Sequence, residues 1–189
     1  MPKQAKYKLE NVLERALTLV MQKGYRGCSM QTLIAHTGFN RRAFYMHFKN
    51  KEDFFEALLQ HYLQAHLLPL NLHLHTSTNA QKCVQHYFEH YRQHIANKGC
   101  LLTRLIVEMG NSNHSVQHHA RWFYDQLQLE FIGLLERAQQ HGDLSPRVNI
   151  EHQALKLTCL AQGFTITSYI KQGDEDIGVL IQSIFDLSA

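Results

Sequence analysis

The sequence predicts an all-α protein, and three observations carry that expectation. Apolar residues recur at i, i+3 and i+4 through most of the chain, the spacing of one helical face. The three prolines stand at positions 2, 69 and 146, which leaves long stretches free of helix breakers. Leu70, Leu72 and Leu74 alternate like a strand, but no second alternating segment exists to pair with them.

A first helix is expected from Tyr7 to Lys23, where Leu9, Val12, Leu13, Ala16, Leu17 and Val20 form one stripe and Gly24 stops it. Ser29 is a good N-cap for a short second helix with Met30, Leu33 and Ile34 inward. Gly38 ends that helix, because a tight turn needs a residue that tolerates positive φ. Asn40 can cap a third short helix, with Arg41 and Arg42 in its first turn and Phe44, Tyr45 and Phe48 behind. Lys51-Glu-Asp opens a fourth, whose acids face the positive end of its dipole. Its stripe of Phe54, Phe55, Leu58, Leu59, Tyr62 and Leu63 runs on towards Pro69. Residues 70–78 read as a loop. Further helices are expected at about Asn79–Ala96, Cys100–Met109, Val116–Gln140, Asn149–Gln172 and Asp174–Leu187. In the long one, Trp122, Phe123, Leu127, Phe131, Leu134 and Leu135 are expected inward, and a turn-rich His141–Pro146 segment follows. The total is about nine helices, with no repeat.

Two short helices around a glycine-containing turn read as a helix-turn-helix. The charge agrees: residues 1–51 hold ten Lys/Arg against two Glu, a formal +8, and residues 52–189 hold nine against fourteen acids, a formal −5. A basic head (1–51) on a mildly acidic body (52–189) suits phosphate binding joined to a separate regulatory domain. Cys28, Cys83, Cys100 and Cys159 are scattered, with no Cys-x-x-Cys, which argues for reduced thiols in the cytoplasm. No run of eighteen apolar residues occurs and nothing signal-like follows Lys3, Lys6 and Lys8, so no membrane is expected. Without a Gly-x-Ser-x-Gly, a phosphate-cradling glycine loop or a His-Glu-x-x-His, no catalytic residue, cofactor or metal is assigned.

Tyr45-Met-His47-Phe48-Lys-Asn-Lys51 matches a Tyr-x-His-Phe-x-x-Lys signature, and Gly24-Tyr25, Ser29 and Gly38-Phe39-Asn40 fit the positions before it. This stretch resembles the DNA-binding domain of the tetracycline-repressor (TetR) family of transcriptional regulators. It departs from the family at Thr37, Phe39 and Asn40, where Ala, Val and Ser are usual, although Asn still caps a helix. The resemblance implies a homodimer, a palindromic double-stranded DNA operator and a small-molecule effector held in the helical body. It also implies that Tyr45 and His47 touch phosphates, and that the last two helices pair with their twofold copies.

The start of the third helix would enter the major groove, where Arg donates two hydrogen bonds to guanine. Arg41 and Arg42 are therefore base or phosphate readers, with Asn40 and Gln31 as polar supports. Thr32 is a phosphate candidate, and Lys51 adds an ammonium beside a helix amino terminus suited to anions. The alternative is that these are solvated surface charges, with Tyr45 a core aromatic. Phe44, Phe48 and Leu33 track the buried stripe. Leu157, Ala161, Phe164, Ile177, Ile181 and Ile184 form a dimer face or close the chain's own core. Tyr87, Tyr91, Met109, Trp122 and Phe123 suit a ligand pocket or the core.

Cys100 follows Gly99 at a helix start beside Lys98, where dipole and charge favour a thiolate, so it is a redox-sensor candidate or else a small buried residue. By resemblance, this Gly-Cys-Leu-Leu segment is similar to that of family members answering to electrophiles or oxidants. His86, His90 and His94 recur every four residues, and a metal-responsive regulator is the alternative they raise. The expected function is a sequence-specific DNA-binding regulator, a repressor released from its operator by a ligand or by thiol modification. A non-specific architectural DNA binder is the alternative of another class, and the large acidic body argues against it.

Overall fold

The structure is a computed structural model that describes residues 8–95, 98–171 and 176–186. These residues form nine α-helices and no strand: α1 (Leu9–Lys23), α2 (Met30–Thr37), α3 (Arg41–His47), α4 (Lys51–Tyr62), α5 (Ala80–His94), α6 (Leu101–Met109), α7 (His114–His141), α8 (Ile150–Lys171) and α9 (Gly178–Phe185). The all-α expectation holds. The expected starts at Tyr7 and Asp174, and the expected ends at Ala96, Gln172 and Leu187, lie outside the described residues.

The short helices owe their limits to capping chemistry. Ser29 and Thr32 close a reciprocal capping box at the start of α2, each side chain accepting from the other's amide. Gly38 takes the left-handed conformation that ends α2, at φ 67° and ψ 15°. The Asn40 side-chain oxygen accepts from the amides of Arg42 at 2.8 Å and Ala43 at 3.3 Å. Asn50 does the same for Asp53 at α4, and Asn79 for Lys82 at α5. Caps of this kind contribute about 1 kcal/mol each.

The chain departs from expectation after Tyr62. The α-helical pattern gives way to a π-helical turn (Leu63–Leu67) and then a 3₁₀ helix (Leu68–His75), where a loop was expected over 70–78. Pro69 lacks the amide an α-helix would need, and it sits in the first turn of the 3₁₀ helix, where that lack costs nothing. Leu70, Asn71 and Leu74 are buried and Leu72 is exposed, so the alternating leucines do not share the one face that a strand would give them.

Two compact units result: residues up to Leu63 with Leu101–His119, and Gln64–Cys100 with Ala120 onward. In the first, α1 packs on α2, α4 and α6, and α4 also meets α6. Its centre is aromatic. The Phe44 ring lies 5.9 Å from Phe39, 5.2 Å from Phe48 and 5.0 Å from Phe54, and all four are buried. In the second, α5 packs on the 3₁₀ segment, α8 and α9. Within α7, Phe123, Leu127, Phe131, Leu134 and Leu135 are buried as expected, but Trp122 is 41% exposed. Trp122 precedes Phe123 by one residue, which turns it about 100° off the buried stripe.

Candidate nucleic-acid interface

With Phe44 turned into the aromatic core, α3 presents Arg41, Arg42, Tyr45, Met46 and His47 to solvent. Tyr45 is exposed and so is not a core aromatic, while its ring edge still meets Phe44. The His47 ring stacks on Phe39, which fixes the end of the helix. Gln31 is exposed in the first turn of α2. Two candidates carry structural duties as well. The Thr32 hydroxyl belongs to the α2 capping box, and the Asn40 oxygen is used as a cap, which leaves its amide nitrogen to donate. An exposed face of guanidinium, phenol and imidazole over a rigid apolar floor can hydrogen-bond phosphates and base edges.

Met46 was missed. It is 78% exposed beside Tyr45, an apolar group of the kind that meets a thymine methyl in the major groove. Only a count of the α3 stripe, which places Phe44 inward and Met46 outward, could have flagged it.

Lys51 sits half-buried in the first turn of α4, with its ammonium 3.9 Å from the centre of the Tyr25 ring. The Tyr25 hydroxyl donates to Glu52, and burial together with that carboxylate pushes the phenol up to about 12. The same hydrogen bond holds the Glu52 carboxyl below its ordinary value. Lys51 therefore braces the turn after α1 as well as carrying charge.

The body candidates divide. Tyr87 and Tyr91 are buried and stack at 5.8 Å, with Tyr87 edge-on to Phe131 and the Tyr91 hydroxyl bonded to Thr165. Burial raises both phenols above the ordinary value, and Cys100 adds to the rise in each. Phe123 is buried against Tyr124, Met109 is buried and belongs to the other unit, and Trp122 faces solvent. Cys100 is only 6% exposed, directly before α6, and Gly99 before it has φ 84°. Cys28 and Cys83 are also buried, and Cys159 is exposed.

The histidines of α5 form a stack. His73 lies 3.7 Å from His90, ring to ring, and His90 lies 6.2 Å from His94. Burial, then His90, His86 and His94, lowers the His73 pKa. Among the described residues, the rings of α5 do not bring three ligand atoms within 4.8 Å of one another.

On the last two helices, Leu157, Ala161, Phe164, Ile181 and Ile184 are buried within the chain itself, and Ile177 is half-buried. The apolar residues left exposed are others: Leu155, Ile166, Tyr169 and Ile170 on α8, and Val179 and Leu180 on α9. A shallow cavity of about 530 Å³ opens between α8 and the start of α9, lined by Cys159, Leu160, Gly163 and Leu180 among others.

Comparison with known proteins gives this geometry a family. Residues 12–58 match the model for "Bacterial regulatory proteins, tetR family", and residues 80–184 match "Tetracyclin repressor-like, C-terminal domain". The HTH-type transcriptional repressor ComR of Escherichia coli K12 is 24% identical over 164 residues, which span 82% of this chain and 77% of that protein. The repressor DhaR of Mycobacterium sp. strain GP1 is 21% identical over 94% of this chain and 90% of its own. Among solved structures, the reduced form of E. coli NemR superposes with a TM-score of 0.80 at 19% identity, covering 94% of each chain. A cysteine-substituted form of the TetR-family regulator CifR, complexed with 26-bp double-strand operator DNA, superposes at 0.81 with 18% identity over the whole of both chains. No described helix is long and apolar enough to cross a membrane. The chain, matched by family models at both its basic head and its helical body, belongs to the TetR family of DNA-binding transcriptional regulators.

Proposed function

We propose that the protein is a cytoplasmic homodimeric repressor, without catalytic activity, that binds a palindromic operator and leaves it when the body takes up a small molecule or is modified at a thiol. The observation that carries this reading is the α3 face: Arg41, Arg42, Tyr45 and Met46 exposed over a packed Phe44. Arg41 and Arg42 read bases or phosphates, and Tyr45, His47 and Lys51 hold phosphates. Asn40, Gln31 and Thr32 supply polar support from the helix starts. The domains divide near Lys51, with binding of DNA before it and of effector and partner after it. The operator complexes of CifR support double-stranded DNA as the partner.

A second copy of the chain is the proposed occupant of the exposed α8–α9 face. Two heads held a helical turn apart need a twofold joint, and this face supplies six exposed apolar side chains. Ile166→Glu would bury a charge in that joint. The expected result is a monomer in sedimentation and operator affinity reduced about 100-fold, as bivalent binding is lost. A persistent Ile166→Glu dimer with full affinity rejects the face.

Thiol release is supported by Cys100, which stands before α6 and beside the buried Tyr87 and Tyr91. In a Cys159→Ser background, N-ethylmaleimide is expected to dissociate the operator complex, and the further change Cys100→Ser to abolish that release. Release that survives Cys100→Ser removes the thiol from the mechanism and leaves the non-covalent ligand.

A further inference from the structure

The contacts of α6 with the turn after α1 span more than eighty residues of sequence, and its polar face is spent on that one backbone turn of the DNA-reading head. Arg104 donates through Nη1 to the carbonyl of Met21, in the last turn of α1. Its Nε pairs with Glu108 Oε1 at 3.0 Å, one helical turn on. Glu108 Oε2 in turn accepts from the amide of Arg26 at 3.0 Å, just past the end of α1. A cation thus meets the carbonyl end of α1, and an anion meets the amide that follows.

The turn is shaped for this approach. Gly24 has φ 69°, and any side chain there would run into the Glu108 carboxylate, so glycine is needed both for the backbone and for the contact. Burial alone would raise the Glu108 carboxyl, but the Arg26 amide, Arg104 and the Tyr25 amide outweigh it and hold it low, so the clamp is ionised near neutrality. From the other side, Lys51 and Glu52 hold the Tyr25 ring and hydroxyl. Only two residues separate Arg26 from Ser29, the cap of α2, and α2 leads through Gly38 to the reading helix.

We propose that Arg104 and Glu108 are positioning residues for operator recognition: they set the α1–α2 turn, and through it the register of α3 on DNA, without touching DNA. This rests on the operator-binding reading above. Base-reading side chains tolerate displacements on the order of 0.5 Å, so a loosened turn costs sequence-specific contacts before it costs general phosphate attraction.

The sign of the effect makes the test sharp. Glu108→Gln removes a negative charge from beside the basic head, which on charge alone tightens binding to every DNA. Positioning instead requires weaker operator binding. With an operator fragment selected by the wild-type chain and a mixed-sequence duplex of equal length, Glu108→Gln is expected to bind the operator about tenfold more weakly, the loss expected of one charge-assisted hydrogen bond. Mixed-sequence affinity is expected to be unchanged or tighter, and the salt slope unchanged, since no phosphate contact is removed. Arg104→Lys keeps the charge but loses the planar fork, and should show a smaller loss of the same kind with unaltered helicity. Operator affinity at or above wild type in folded Glu108→Gln overturns the proposal. If that variant does not fold, undiminished operator affinity in folded Arg104→Lys overturns it. A wild-type chain that selects no operator overturns the operator-binding reading itself, whereas selection by wild type and Glu108→Gln alike overturns the clamp alone.

Discussion

Arg42→Ala is expected to weaken operator binding by about 1–3 kcal/mol, and Arg41→Ala by a similar amount. Both side chains leave the first turn of a seven-residue helix whose opposite side is anchored by Phe44, so neither can retreat into the core. The form of the loss identifies the contact. A base reader relaxes preference at one base pair and leaves the salt slope intact. A phosphate contact weakens binding to all sequences and lowers the slope of log affinity against log salt by about one. Titration against operator variants at several salt concentrations separates the two. Full affinity in both single variants would remove α3 as the reading element.

Phe44→Ala is expected to have the largest effect on stability. Its ring is fully buried and touches Phe39, Phe48 and Phe54, which join α3 to the preceding turn and to α4. Truncation of such a side chain costs about 3–5 kcal/mol, a large share of the roughly 5–15 kcal/mol that holds most domains together. The α8–α9 side of the molecule takes no part in this cluster. Hydrogen exchange should therefore quicken across α1–α4 well before α8, and operator binding should fall with it. Equal protection in wild type and Phe44→Ala would mean that the aromatic cluster does not hold the head together.

Much of the head was legible because its limits are set locally. Ser29, Gly38 and Asn40 act on amides within three residues of themselves, so each could be read from its neighbours. Phe44 and Phe48 followed from spacing alone. The body was less legible because α8 is apolar on more than one side. Leu157 and Phe164 face the chain's own core while Ile166 and Ile170 face outward, and composition cannot assign one set to each role. Trp122 misled for a related reason: a large apolar residue next to Phe123 reads as core unless the helical angle is counted. The 3₁₀ segment was hidden by its leucines, which alternate in sequence although Leu72 faces solvent and Leu70 and Leu74 do not. The spacing of Arg104 and Glu108 allows an ion pair along α6, but nothing local points to the Arg26 amide, which stands 82 residues away. Lys51 was read as a phosphate-binding group, and its place over Tyr25 adds a bracing role that only the fold could bring together.

Two α3 faces of a dimer are proposed to read one palindromic site. Selection of genomic fragments by the purified protein, followed by footprinting of the selected DNA, decides whether they do. The expected result is a protected inverted repeat whose half-sites are centred about one helical turn apart or a multiple of it. Binding spread over fragments with no shared sequence would contradict it.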